Sequence, residues 1–162
     1  MRVASPAHLA KLKRARRGWE VQASGSAKVE VSLHNEPGQI ARVHQALDDI
    51  AARHGLPARP VARLHLALEE HLTNIMVHGY APGQAGKISV RFALEPKTLR
   101  VEIEDDAMPF NPAEAPEVDT DLPIEERPLG GLGVLMIRRS VDALEYRHAG
   151  GRNVLVLTTR LV

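Results

Sequence analysis

The segment LALEEHLTNIMVHGY, residues 66–80, carries three polar side chains at a spacing that could support chemistry. Glu70, Asn74 and His78 follow one another at intervals of four residues. Residues four apart lie on the same face of an α-helix, so the three side chains form a polar column beside the apolar arc. A carboxylate and an amide oxygen one turn apart suit Mg²⁺, and a carboxylate beside a bound phosphate could accept a proton from an attacking hydroxyl. A solvated helix edge would show the same spacing, so both interpretations stay open.

A second candidate is Asp105, at the end of the alternating segment TLRVEIED, residues 98–105. A carboxylate at the end of a strand can accept a hydrogen bond from an exocyclic amine such as that of adenine. Aspartate is also a common turn former at strand ends. The residue type alone therefore allows a binding role or a plain turn.

Two glycine-containing segments complete the set of candidates. Leu129-Gly130-Gly131-Leu132-Gly133 precedes a predicted helix, where backbone can approach a ligand closely and helix amides favour phosphate. It is not a P-loop, because no Lys-Ser/Thr pair follows, and no strand precedes it as in a Rossmann fingerprint. Gly150-Gly151-Arg152-Asn153 favours a hairpin turn, with a ligand contact as the second possibility.

Composition narrows the classes of function. The 162 residues suffice for one domain with its own core, and the net charge of +1 gives no global attraction for nucleic acid or an anionic membrane. Aromatic residues make up only 3%, which weighs against base-stacking recognition of single strands. The absence of cysteine excludes disulfides, thiolate metal sites and a cysteine nucleophile. No apolar run approaches the thickness of a bilayer and no signal-like segment begins the chain, so we expect a cytoplasmic protein.

The elements that must position these residues follow from hydrophobic periodicity. Residues 1–27, with a basic cluster and an ASGSA stretch, are expected to be a flexible extension, with docking on an acidic partner as the alternative. Asn35 is the candidate N-cap of the first helix. Residues 28–162 are predicted to begin with a strand from 28, followed by a helix to about 53 and a helix over 60–78. A hairpin of strands over 87–94 and 98–105 comes next, followed by an acidic, proline-rich loop over 109–128. The chain is then predicted to end with a helix and two strands joined at Gly150-Gly151. This order predicts an α+β layer with the helices gathered on one face of the sheet.

Taken together in chain order, the segments EHLTNIMVHGY, EDDAMPFNP, LGGLGVLMI and GGRNVLVL resemble the N, G1, G2 and final glycine boxes of the GHKL ATPase superfamily. E-x-x-x-N followed by H-G-Y, and the short D-x-x-x-P-F, are most similar to the anti-sigma factor serine-protein kinases of bacterial stress and sporulation switches. The resemblance spans residues 28–162. It implies a two-layer α/β sandwich of the Bergerat type, with a mixed, mostly antiparallel sheet.

The resemblance also implies roles for the matched positions. Glu70 would be the catalytic carboxylate that activates a serine or water, and Asn74 would bind Mg²⁺. Asp105 would bind the adenine amino group, and the acidic loop over 111–128 would be the ATP lid. The other expected nucleotide contacts are His78, Ala107, Phe110, Gly130, Gly131, Leu132, Gly133 and Asn153.

Two positions depart from the family pattern. Ala107 replaces the glycine of D-x-G, so its backbone must avoid a glycine-only conformation. Asn153 stands where the family usually has threonine and keeps hydrogen-bonding capacity.

His71 beside Glu70 is similar to a histidine-kinase phosphoacceptor, but residues 1–27 are too few for a dimerisation hairpin. We therefore interpret His71 as a surface or packed histidine.

These features predict an ATP-binding anti-sigma factor with serine-protein kinase activity. The resemblance implies ATP and Mg²⁺ as cofactors, an anti-anti-sigma STAS protein as phosphoacceptor, and a sigma factor as the sequestered partner. It also implies a homodimer, and no direct nucleic-acid or membrane partner is expected. Two alternatives remain: a nucleotide-gated protein-binding module without phosphotransfer, motivated by Ala107, and a kinase or ATPase that regulates another STAS-containing pathway.

Overall fold

The computed structural model describes residues 19–21, 27–114 and 131–162, and within them one sheet carries the fold. Its six strands are β1 (Trp19–Val21), β2 (Ala27–His34), β3 (Lys87–Leu94), β4 (Thr98–Asp105), β5 (Ala143–Ala149) and β6 (Arg152–Arg160). They lie in the order β1-β2-β3-β4-β6-β5. Each pairing between these strands is antiparallel.

Three helices cover one face of this sheet: α1 (Ile40–His54), α2 (Ala58–His78) and α3 (Gly131–Ser140). Inward-facing strand residues such as Phe92, Val101 and Leu157 are buried in one cluster with helix residues such as Leu47 and Leu68. Successive strand side chains point to opposite faces, so the outward positions of the same strands carry charges. The predicted α+β sandwich with helices on one face is confirmed.

The predicted hairpins are both present. β3 and β4 pair from Leu94 opposite Leu99 to Ile88 opposite Asp105. β5 and β6 are joined at Gly150 and Gly151, whose φ angles of 59° and 72° are left-handed. Two consecutive left-handed residues make the tight turn that matches the twist of a hairpin, and glycine adopts them without steric cost.

The expectation that Asn35 caps the first helix is wrong. A 3₁₀ turn over Pro37–Gln39 precedes α1, with Glu36 at its N-cap and no side-chain capping bond. Asn35 instead donates to the carbonyl oxygen of Gln84 at 2.7 Å and accepts from the amide of Gly86 at 2.8 Å. Its side chain therefore ties the end of β2 to the loop that enters β3, a long-range contact that local capping rules do not predict.

Parts of two predicted segments lie outside the described residues. Within the predicted N-terminal extension, Trp19–Val21 forms the edge strand β1 beside β2, while residues 1–18 and 22–26 lie outside the described part. Of the predicted acidic lid, residues 115–128 also lie outside it. No helix among the described residues is long and apolar enough to cross a membrane.

Candidate functional site

A cavity of about 300 Å³ opens between the C-terminal half of α2, the loop that follows β4, and the strands β5 and β6. The sheet register helps to form it, because Asp105 at the end of β4 lies opposite Asn153 on β6. The structure brings six of the predicted nucleotide contacts to its wall. These are Asn74, His78, Asp105, Ala107, Phe110 and Asn153.

Asp105 presents a buried carboxylate to this cavity. Its Oδ1 atom accepts hydrogen bonds from Asn153 Nδ2 at 2.7 Å and from the amide of Ala107 at 3.0 Å. Both bonds reach the same oxygen, and Oδ2 has no hydrogen-bond partner among the described residues. Burial raises the pKa of Asp105 above its usual value, while these two donors oppose the rise. Oδ2 is thus left as an acceptor for a ligand with an N–H group.

Asn153 holds Asp105 and the loop after β4 in place. Besides the bond to Asp105, its Nδ2 atom lies 3.1 Å from the carbonyl oxygen of Ala107. Its Oδ1 atom accepts a hydrogen bond from the Tyr146 hydroxyl at 2.7 Å. Tyr146 also lines the cavity and is a residue that the sequence did not indicate, because it occurs as one aromatic residue in an ordinary strand pattern. The amide that replaces threonine is therefore fully used in orienting its neighbours.

Ala107 fits at the glycine position because Gly79 faces it. A Cβ atom on Gly79 would lie 2.7 Å from the Cβ atom of Ala107, so the missing side chain at 79 makes the space for the methyl group at 107. Met108 also donates its amide to the carbonyl oxygen of Gly79 at 2.9 Å. No described non-glycine residue has a positive φ angle, so Ala107 adopts an ordinary backbone conformation.

Tyr80 anchors the end of α2 to the end of β4. Its hydroxyl donates to Asp106 Oδ1 at 2.9 Å, and the same oxygen accepts the amide of Lys87 at 2.8 Å. Burial, and then the Asp106 carboxylate, raise the pKa of Tyr80 well above its usual value, so it stays a donor. A Cβ atom on Gly86 would lie 2.2 Å from Cζ of the Tyr80 ring, so the ring occupies the space beside this glycine. Gly79 and Tyr80 of the H-G-Y sequence thus shape the site by packing.

Glu70 lies beside the first turn of α3, next to Asn74 and outside the cavity lining. A Cβ atom on Gly133 would lie 2.5 Å from Glu70 Oε2 and 3.6 Å from Asn74 Nδ2. The glycine segment and the polar column of α2 are therefore in direct contact. The Glu70 carboxylate accepts no hydrogen bond from the part of the chain that the structure describes. Of the other predicted contacts, Leu132 is exposed, Gly131 begins α3, and Gly130 lies outside the described residues.

His71 is buried at the cavity wall, and neither of its ring nitrogens is hydrogen-bonded to any residue that the structure describes. Burial lowers the pKa of His71 to about 4, so the imidazole is neutral near pH 7. A neutral ring offers one donor and one acceptor, and leaving both unpaired in the interior is costly. Of the two sequence interpretations, a surface or a packed histidine, the packed one is confirmed, but neither anticipated that His71 lies at the cavity. The sequence does contain a signal for this position. Asn74, Ile75 and His78 follow His71 at i+3, i+4 and i+7, a spacing that places all four side chains on one face of the helix.

A family match identifies the class of protein to which this fold belongs. Residues 33–159 match the histidine kinase-like ATPase domain family. The chain therefore belongs to this family, which places it in the GHKL superfamily and confirms the resemblance seen in its sequence.

Curated relatives refine the comparison. The chain is similar to serine-protein kinase RsbW of Bacillus mycoides (strain KBAB4), with 26% identity over 133 residues that cover 80% of this chain and 82% of the relative. It is 25% identical to serine-protein kinase RsbW of Bacillus cereus (strain AH820) over the same proportions. Among solved structures it resembles the RsbU and RsbW domains of Rv1364c from Mycobacterium tuberculosis, with a TM-score of 0.60 and 21% identity. That match covers 83% of this chain and 32% of the longer one, and it shows the fold.

The described residues fit ATP and Mg²⁺, the groups that this family implies. At the cavity, the free Oδ2 of Asp105 and the unpaired ring nitrogens of His71 are suited to the edge of a purine base. Beside it, Asn74 and Glu70 carry an amide and a carboxylate, groups whose oxygens suit Mg²⁺, and the Glu70 carboxylate occupies the space that a side chain on Gly133 would take. No group of three or more histidine, aspartate and glutamate side chains among the described residues could hold a metal by itself. Mg²⁺ would accordingly be held by Asn74 together with phosphate oxygens and water.

Proposed function

We propose that the protein is an ATP-dependent serine-protein kinase of the anti-sigma factor type. The observation that carries the proposal is the contact of Gly133 with Glu70 and Asn74, in a fold where Asn74 also lines the same cavity as Asp105. Three segments far apart in the chain thus meet around one site. The names of the curated relatives, serine-protein kinase RsbW, support phosphoryl transfer to serine as its chemistry.

In this proposal each side chain has a distinct task. Asp105 accepts a hydrogen bond from the adenine amino group, and Asn153 keeps the carboxylate in position. Asn74 holds Mg²⁺, and bound MgATP supplies the phosphoryl group and the charge that neutralises the transferring oxygens. Glu70 orients the serine hydroxyl of the acceptor and takes its proton as the oxygen attacks. Phosphoryl transfer needs little more than this positioning and electrostatic stabilisation.

The proposed partners follow from the relatives. We propose that the phosphoacceptor is an anti-anti-sigma protein of the STAS class, that the sequestered partner is a sigma factor, and that the active form is a homodimer in the cytoplasm. Similarity to proteins named RsbW, and to a structure of RsbU and RsbW domains, supports a partner-switching role.

The test of phosphoryl transfer is the variant Glu70→Ala. Because Glu70 lies outside the cavity lining, ATP affinity should stay within about threefold, whereas transfer to a serine should fall by about two to four orders of magnitude. Labelled ATP and candidate STAS proteins give the transfer rate, and calorimetry gives the affinity. Glu69→Gln, which changes the neighbouring carboxylate on the same helix, is the matched control and should retain transfer. Full transfer by Glu70→Ala would refute the catalytic assignment.

The test of nucleotide binding is a calorimetric titration with ATP, with and without Mg²⁺, on the wild type and on Asn74→Ala. The variant should lose the gain in affinity that Mg²⁺ gives the wild type. Unchanged Mg²⁺ dependence would remove the metal role of Asn74, and no ATP binding by the wild type would overturn the proposal. If the protein bound a candidate partner tightly but formed no phosphoserine on it, the protein would be a nucleotide-gated binding module instead of a kinase. Ala107, which motivated that alternative, is accommodated by Gly79.

A further inference from the structure

Three buried polar side chains line the cavity at the candidate site, and one of them, His71, has no task in the proposed mechanism. Asp105, Asn153 and His71 are 3%, 5% and 4% exposed. Asn153 spends its amide on Asp105, Ala107 and Tyr146. Two of the buried groups therefore keep hydrogen-bonding capacity for a ligand, the Oδ2 atom of Asp105 and the imidazole of His71.

Exposure along α2 places His71 at the closed end of the cavity. His71 is buried, Asn74 is half-buried, and His78 at the end of the helix is exposed. All three line the cavity from one face of the helix. A charged triphosphate is costly to remove from water, so it stays on the side of Asn74 that is open to solvent. The uncharged base is then the part of a nucleotide that reaches His71 and Asp105.

The charge state of His71 also fits a base better than a phosphate. Burial lowers the pKa of His71 to about 4, so the ring carries no charge near pH 7 and does not attract an anion. A neutral imidazole has one N–H donor and one lone pair, and a ligand that pairs with either removes the cost of leaving it unpaired. The same cavity wall is otherwise largely apolar, with Ile75, Ala107 and Leu155 in the lining. Apolar walls with a few polar groups are typical of a site for a flat ring system.

The His71 ring is free to turn towards a ligand. Both ring nitrogens are enclosed, and neither is hydrogen-bonded to a described residue. A half-turn about the Cβ–Cγ bond exchanges each nitrogen with a ring carbon in nearly the same volume, and the torsion about this bond is a soft one. No hydrogen bond to the described part of the chain opposes that rotation. Either edge of the imidazole can therefore present its N–H to the cavity.

We propose that His71 is a residue that determines base specificity, and that its N–H donates to N1 or N7 of adenine while Asp105 Oδ2 accepts from the amino group. These two ring nitrogens flank the amino group, so one base can meet both side chains at once. This assignment rests on the proposed function, because it takes ATP as the occupant of the cavity. It adds a second polar contact to the base, from α2, to the contact made by β4.

The experiment removes ring nitrogens from the ligand and the imidazole from the protein. Calorimetry gives the affinities of the full chain for ATP and for its 1-deaza, 7-deaza and 3-deaza analogues. Loss of the accepting nitrogen leaves the His71 N–H unpaired, so the 1-deaza or the 7-deaza analogue should bind the wild type about tenfold more weakly than ATP. The 3-deaza analogue, changed far from the amino group, is the control ligand and should bind as ATP does.

The variant His71→Leu should bind ATP about tenfold more weakly than the wild type does. It should also bind the sensitive analogue as well as it binds ATP, because the donor is then missing from the protein. His34→Leu, which changes an exposed histidine on β2, is the matched control and should keep the preferences of the wild type. Urea unfolding checks that both variants are folded. A discrimination that persists in His71→Leu, or that is absent from the wild type, would overturn the assignment.

Nitrogen-15 NMR of the histidine rings tests which part of the nucleotide His71 meets. The ring signals of His71, identified by their loss in His71→Leu, should shift on addition of ATP and stay in place on addition of inorganic tripolyphosphate. An equal shift with tripolyphosphate would overturn the contact with the base. The outcomes also separate this assignment from the proposed function. ATP binding with unchanged base preference in His71→Leu removes only the assignment, whereas no ATP binding by the wild type removes the function.

Discussion

The contact between Gly133 and Glu70 makes Gly133→Ala a selective test of the proposed catalytic geometry. The added methyl group would lie 2.5 Å from Glu70 Oε2. Contacts between carbon and oxygen normally start at about 3.3 Å, so the carboxylate must move by roughly 0.8 Å. Oε2 is the far end of a flexible side chain, which can rotate away while the backbone stays in place. The variant therefore displaces the proposed base without removing it.

The expected effects on rate and stability have opposite signs. A misplacement of about 1 Å at a reacting group costs on the order of 100-fold, which is roughly 2.7 kcal/mol of transition-state stabilisation. Gly133 is the third residue of α3, and alanine is more favourable than glycine in a helix by up to about 1 kcal/mol. We therefore expect transfer to a serine to fall about 100-fold while the unfolding midpoint stays equal or rises.

The assay measures phosphoserine formation, ATP affinity and the thermal midpoint on the same preparation. Gly38→Ala is the matched control, because a Cβ atom there meets nothing within 4 Å and its backbone does not require glycine. Its transfer rate should equal that of the wild type. Normal transfer by a folded Gly133→Ala would refute the reasoning, because the position of Glu70 would then not matter. A large loss of stability would refute it too, since it would mean that the methyl group displaces backbone.

Three further changes test the supports of the site. Asn153→Ala should lower the free energy of unfolding in urea by about 2 kcal/mol, because it leaves the buried Asp105 without its closest donor; a loss below about 0.5 kcal/mol would contradict this role. Gly86→Ala should cost about 1–3 kcal/mol in the same measurement, since its Cβ atom would overlap the Tyr80 ring, and an unchanged midpoint would count against that packing. His71→Leu should flatten the dependence of stability on pH. The pKa of His71 in the folded chain, about 4, lies below the ordinary value of 6.5, so the unfolded chain binds the proton first as the pH falls. The free energy of unfolding of the wild type should therefore fall by up to about 3 kcal/mol between pH 6.5 and pH 4. An equal pH dependence in the variant would exclude His71 as the cause.

The sequence predicts the elements of this fold well because their patterns are local. Alternation marks β3 and β4, and apolar residues at helical spacing mark α1 and α2. The motif order then brings Asn74, Asp105 and Asn153 to one cavity, as the family resemblance implies. What the sequence misses depends on contacts between distant residues. Asn35 has the residue type of a helix cap, yet its side chain forms hydrogen bonds with the backbone of Gln84 and Gly86, which are 49 and 51 residues further along the chain.

Residues such as Tyr146 and His71 show a second limit. Tyr146 reaches the cavity only because β5 pairs beside β6, which places its hydroxyl next to Asn153. His71 lies on the same helical face as Asn74, but its burial depends on how α2 is set against the sheet. In each case the sequence shows which chemical group the residue carries, whereas tertiary packing determines which residue or cavity that group contacts.

The contact between Ala107 and Gly79 shows that a motif position has to be judged together with the residue it packs against. Alone, Ala107 suggests a damaged adenine pocket, because a methyl group replaces a glycine. In the structure that methyl group fills the space left by Gly79, at the end of the helix that carries Asn74. An alanine at 79 would clash with Ala107 Cβ and with the carbonyl oxygen of Ile75, so Ala107→Gly can relieve only the first of these contacts. The double variant Gly79→Ala, Ala107→Gly should therefore recover part of the stability lost by Gly79→Ala, and no recovery in urea unfolding would show that the helix end alone requires the glycine.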